Sequence, residues 1–168
     1  MTESNNEPLF QIKSVGGWLL LLCLALTVFS PLRTLITYVI SFEDNLRLFD
    51  LYPGWKIVFI IDATLSVFLT IMSIRAGLAL WAIKPKAVQI AKNYLLLYLG
   101  YSVIASILPF FAGLPSSSNN LLVPEMAKGF FQSLIFFIIW YKYLNVSKRV
   151  KATYGSDLIS KESNNVLL

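Results

Sequence analysis

Histidine is absent from this chain, and cysteine occurs once, at Cys23. The first absence removes the side chain used most often for proton transfer near neutral pH and for holding metals. The second excludes an intrachain disulfide framework. Cys23 does not read as a lipid-modified cysteine either, because Leu20-Leu21-Leu22 precede it where small residues are needed. The apolar stretch around it is too long for a cleaved signal peptide, and no A-x-A-like site follows. Charge is scarce as well: 14% of residues are charged and 57% are apolar. No catalytic or metal-binding constellation emerges, no cofactor is implied, and an enzyme is the less expected class.

Four long apolar runs fill the sequence, at about 14–42, 57–83, 93–114 and 126–141. Each is long enough to cross a hydrocarbon slab of about 30 Å. The fold class expected is an all-α integral membrane protein, a four-helix transmembrane bundle, with helices at about 15–40, 55–83, 88–111 and 126–143. Flexible segments are expected at 1–12 and 152–168, around a transmembrane domain at 13–151, and no separate soluble domain or internal repeat is evident. Pro31 should kink the first helix. Ser41-Phe42-Glu43-Asp44 reads as a capping box that opens a short surface helix ending at Pro53-Gly54.

The loops orient the chain. Lys13, Lys84, Lys86, Lys92, Lys142, Lys148, Arg149, Lys151 and Lys161 flank one side, against Arg47, Lys56 and Lys128 on the other. This imbalance predicts both termini in the cytoplasm. It also accounts for the net charge of +5 without nucleic acid, for which no reading surface is present. Trp18, Trp81 and Trp140 then fall near the inner interface and Trp55 near the outer one.

Only Arg33, Asp62 and Arg75 interrupt the runs, and charge inside a bilayer is costly. On the second helix Asp62, Ser66, Thr70, Ser73 and Gly77 share a face. On the first, Cys23, Thr27, Ser30, Arg33, Thr34 and Thr37 form a looser stripe. Small and hydroxylated residues let membrane helices approach and hydrogen-bond, so the two stripes should face each other. Arg33 lies about seven residues before the expected end of helix one, and Asp62 about seven after the start of helix two, both about 10 Å deep at 1.5 Å per residue. An Arg33–Asp62 pair is therefore expected. The readings are an ion pair that fixes register, a polar site open to the periplasm, where Asp62 exchanges a proton or Arg33 meets an anion, and two charges that never meet. Arg33, Asp62, Ser66 and Thr70 form the candidate polar site.

Arg75 lies nearly opposite that stripe and is expected to snorkel toward inner headgroups. Together with the basic cluster Lys148, Arg149 and Lys151 it is a candidate for lipid headgroup contact. Tyr94, Tyr98 and Tyr101 share a face of helix three: Tyr94 should be interfacial, and the other two need hydroxyl partners if buried. Gln132 shares a face of helix four with Lys128 and is a weaker candidate for the polar interior.

Gly16-Gly17-Trp18-Leu19, then Ser30-Pro31, and the closing Ser147-Lys148-Arg149-Val150-Lys151-Ala152-Thr153-Tyr154 after an aromatic last span resemble the bacterial membrane family called domain of unknown function 2569. The resemblance covers about residues 12–155. The family commonly carries phenylalanine where Tyr154 stands. It implies a multi-pass protein of four helices in the bacterial inner membrane, and it carries no activity or site residues over. Two functions compete: a non-enzymatic component acting through protein or lipid contacts, and a small transporter or lipid/ion-handling protein using the Arg33/Asp62 site. The partners implied are the bilayer itself and other membrane proteins or further copies of the chain. A cavity reaching Asp62 would favour the second function; a dry, packed pair would favour the first.

Overall fold

A computed structural model describes residues 16–84, 86–115 and 119–155. The segment 1–12, the first residues 13–15 of the expected transmembrane domain, Pro85, Ser116–Ser118 of the expected loop and 156–168 of the expected tail lie outside the described residues. Among those described, the chain is helical without strands: α1 Trp18–Leu24, a π-helical turn Ala25–Phe29, α2 Ser30–Leu51, α3 Pro53–Trp81, α4 Ala87–Ile107 with a 3-10 turn Leu108–Ala112, α5 Asn119–Val146 and α6 Lys148–Tyr154. Four stretches are long and apolar enough to cross a membrane: Trp18–Leu51, Pro53–Trp81, Ala87–Ala112 and Leu122–Val146. They are called spans 1 to 4.

Span 1 departs most from the sequence reading. It does not stop near residue 40 to make way for a capped surface helix; it continues without a break to Leu51. Only Tyr52, in an extended conformation, separates it from Pro53. The capping residues Ser41–Asp44 therefore lie inside the helix. Asn45 explains why. Its Nδ2 donates to the Ser41 carbonyl at 2.6 Å, and its Oδ1 accepts the Trp55 indole N–H at 2.7 Å. These bonds tie the last turns of span 1 to the first turn of span 2. Pro31, which lacks a donor N–H, sits in the first turn of the α-helix that restarts after the π-helical turn, so the irregularity falls before it.

Packing runs in chain order: span 1 on span 2, span 2 on span 3, span 3 on span 4. The spans alternate in direction. Trp18, Trp81 and Trp140 consequently share one end of the bundle, and Trp55 marks the other. The core is concentrated at the Trp18 end, where Leu22, Cys23 and Leu26 of span 1 pack with Ala76, Leu80, Leu95 and Leu144. Span 1 reaches span 4 there through Trp18 and Trp140, with ring centroids 6.4 Å apart. Small residues set the approach of spans 1 and 2. A Cβ on Gly77 would collide with the Thr27 methyl, and Ser73 Oγ donates to the Leu26 carbonyl at 2.8 Å.

α6 closes the same end. Ser147 caps it, accepting the Val150 N–H. Val150 joins the core, and the Arg149 guanidinium lies against the Gly16-Gly17 backbone, 2.9 Å and 3.0 Å from where Cβ atoms would stand. Gly17 has φ 62° and ψ −137°, a region open in practice to glycine alone. Tyr154 donates its hydroxyl at 2.6 Å to the Leu80 carbonyl, which also accepts the Ile83 N–H at 3.2 Å, at the C-terminal end of span 2. Helix thus reaches three residues into the stretch expected to be flexible from 152.

Candidate functional site: a polar cavity between spans 1 and 4

At the Trp55 end, spans 1 and 4 diverge and enclose a cavity of about 650 Å³. Span 1 supplies Ser30, Arg33, Thr34, Thr37 and Tyr38; span 2 supplies Asp62 and Ser66. Tyr94, Tyr98 and Tyr101 of span 3 form its back, and Gly129, Gln132 and Ser133 of span 4 the opposite rim. Phe29, Arg33, Thr37, Gly129 and Gln132 are exposed, so the cavity opens between spans 1 and 4.

Asp62 sits in this wall but is not paired with Arg33. Tyr38 donates to its Oδ2 at 2.6 Å and Tyr101 to its Oδ1 at 2.7 Å. Ser66 Oγ lies 3.0 Å from the Tyr38 hydroxyl and 2.8 Å from that of Tyr101. Each phenol has one proton, and both are committed to the carboxylate. The Ser66 hydroxyl therefore donates to one of the phenol oxygens. Three spans are linked through this one carboxylate.

The expected Arg33–Asp62 contact is corrected by the register. Tyr38 is level with Asp62 because the turn lies at Tyr52; a turn nearer residue 48 would have brought Arg33 there. Arg33 precedes Tyr38 by five residues, so it lies about 7.5 Å further along the axis, toward the Trp18 end. Among the described residues the one ion pair within 4.0 Å is Glu125–Lys128, exposed and 3.7 Å apart. Arg33 thus faces the cavity with no carboxylate in reach. Glu43, the nearest charged residue after it in span 1, is ten residues on, about 15 Å.

The other candidates are dispersed. Thr70 bonds back to the Ser66 carbonyl of its own helix at 2.8 Å and does not line the cavity. Arg75 is exposed on span 2. Lys148, Arg149 and Lys151 are all exposed on α6, and the Arg149 guanidinium also lies against Gly16-Gly17. Tyr94, expected at the interface, is buried and stacks on Tyr98 with centroids 6.1 Å apart. Tyr98 has the Ser133 hydroxyl 3.4 Å away. Tyr38 was missed altogether. Its signal lies inside the expected helix: Ser30, Thr34 and Tyr38 stand four residues apart on one polar stripe, which Ser41 and Asn45 continue beyond the expected end.

A family model described as "Protein of unknown function (DUF2569)" matches residues 12–155. The chain belongs to that family, and its described residues place it among α-helical proteins with four helices long and apolar enough to cross a membrane. No curated protein and no solved structure matches it. Two of the three motifs that suggest the family, Gly16-Gly17-Trp18-Leu19 and Ser147–Tyr154, meet at the Trp18 end, whereas Ser30 of the third, Ser30-Pro31, lines the cavity. In this chain Tyr154 adds a hydrogen bond to Leu80 that phenylalanine would lack.

Proposed function

We propose that this is a non-enzymatic protein of the bacterial inner membrane, with both termini cytoplasmic, that holds an anion-headed amphiphile in the cavity between spans 1 and 4. The observation that carries the reading is Arg33. An uncompensated cation well inside a span costs about 2.5–3.5 kcal/mol or more. From about 15 Å below Glu43, a side chain cannot snorkel out fully. A bound anion resolves the cost, and guanidinium suits the planar, two-point recognition of phosphate or carboxylate. Thr37 and Gln132 on the two rims add polar partners. The apolar lining residues Leu26, Phe29 and Phe136 suit an apolar body. This favours lipid handling over a component that works by surface contact alone, because the cavity reaches Asp62 and is not filled by an Arg33–Asp62 pair. The test is native mass spectrometry of the chain purified in mild detergent. Bound lipid should be retained by the unmodified protein and lost from Arg33→Gln.

A further inference from the structure

The cavity wall carries one cation and one carboxylate that do not touch. Asp62 is held by two phenols and has no cation within 4.0 Å among the described residues. A carboxylate offers about four lone-pair sites, and the two phenols occupy two. Two remain for a donor from the cavity. Arg33 stands about 7.5 Å away along the axis, with its own donors unfilled by any carboxylate. A ligand of net charge would satisfy one of these groups and leave the other.

We propose, building on the lipid-handling reading above, that the ligand is zwitterionic: a diacyl lipid with a phosphoethanolamine headgroup. Its phosphate sits on Arg33 and its primary ammonium on the Asp62 carboxylate beside Tyr38 and Tyr101. The order of groups along the cavity matches the order along such a lipid. From the Trp55 end inward come Asp62, then Arg33, then the apolar walls at Phe29 and Leu26. The lipid presents ammonium, phosphate and acyl chains in that sequence, and the opening between spans 1 and 4 lets the chains remain in the bilayer. Donors on the ammonium matter: a quaternary choline has no N–H for the two free lone-pair sites.

The experiment offers phosphatidylethanolamine, phosphatidylcholine and phosphatidylglycerol in equal amounts to the full chain in detergent, read by native mass spectrometry. Phosphatidylethanolamine should be bound about tenfold over each of the others, the ratio given by one charge-assisted hydrogen bond. Asp62→Asn should erase its advantage over phosphatidylglycerol while binding persists. Selectivity of the unmodified protein carries the test even if that variant does not fold. Equal binding of all three, lowered alike by Arg33→Gln, would overturn the zwitterion assignment and leave the anion-headed reading standing. Binding indifferent to Arg33→Gln would overturn both. Displacement of the lipid by an equal concentration of glycerophosphoethanolamine would overturn the lipid assignment in favour of a soluble zwitterion.

Discussion

The Tyr38 hydroxyl lies 2.6 Å from Oδ2 of Asp62, and this contact sets the register of spans 1 and 2. It places Asp62 among phenols and leaves Arg33 about a turn and a half away along the axis. Hydrogen bonds to a charged acceptor contribute about 1.5–3 kcal/mol each. Tyr38→Phe and Tyr101→Phe should each lower unfolding stability in detergent by about that amount. A double-mutant cycle between Tyr38→Phe and Asp62→Asn should return a coupling of about 1 kcal/mol or more. The same cycle between Arg33→Gln and Asp62→Asn should return a coupling close to zero.

The contrast between those cycles bears on what was legible in the sequence. The spans, their number and the facing stripes of spans 1 and 2 followed from apolar length and from Asp62, Ser66, Ser73 and Gly77 on one face. The depth of Arg33 relative to Asp62 did not follow. It depends on where the hairpin turns, and Ser41–Asp44 has the composition of a helix start. Local capping preference favoured a break there. A tertiary contact, Asn45 with Trp55, overrides it, and no local pattern encodes a contact across a turn. The cavity was illegible for a related reason. It is a gap between spans 1 and 4, which are distant in sequence, and it arises because the large buried side chains gather at the other end.

Glycine substitutions should separate the tight helix contacts from the open ones. A side chain at Gly77 would meet Thr27 and Leu26, whereas Gly100 has nothing within 4 Å. Gly77→Leu should cost about 1–3 kcal/mol. Gly100→Ala should be near neutral or slightly stabilising, as expected for an unhindered helix position. Thermal unfolding of the two variants in one detergent measures the difference.

The closed end should fail when its clasp is removed. Gly17 occupies a conformation reserved for glycine, and Arg149 lies against it. Gly17→Ala should destabilise by about 1–3 kcal/mol through backbone strain. Proteolysis within Lys148–Tyr154 should become faster than in the unmodified chain.

Tyr154 lies in α6, outside the spans, and its hydroxyl is pushed upward by burial first and by the neighbouring Cys23 and Tyr143 second. Its protonated form is the one that donates to Leu80. A raised value in the folded state means the contribution is complete below the unfolded tyrosine value of about 10. It is lost progressively as pH rises through the folded value. Tyr154→Phe should cost about 1 kcal/mol at neutral pH and flatten the decline in stability above pH of about 10. Unfolding midpoints taken across that range for both proteins test the sign.

The central claim is that Arg33, the cation in the cavity wall, holds a ligand. The most direct measurement is the mass of lipid retained by the protein purified in mild detergent, compared between the unmodified chain and Arg33→Gln. The account predicts a bound phospholipid on the first and its loss from the second, with the fold intact by circular dichroism. Equal lipid retention by both proteins would contradict it.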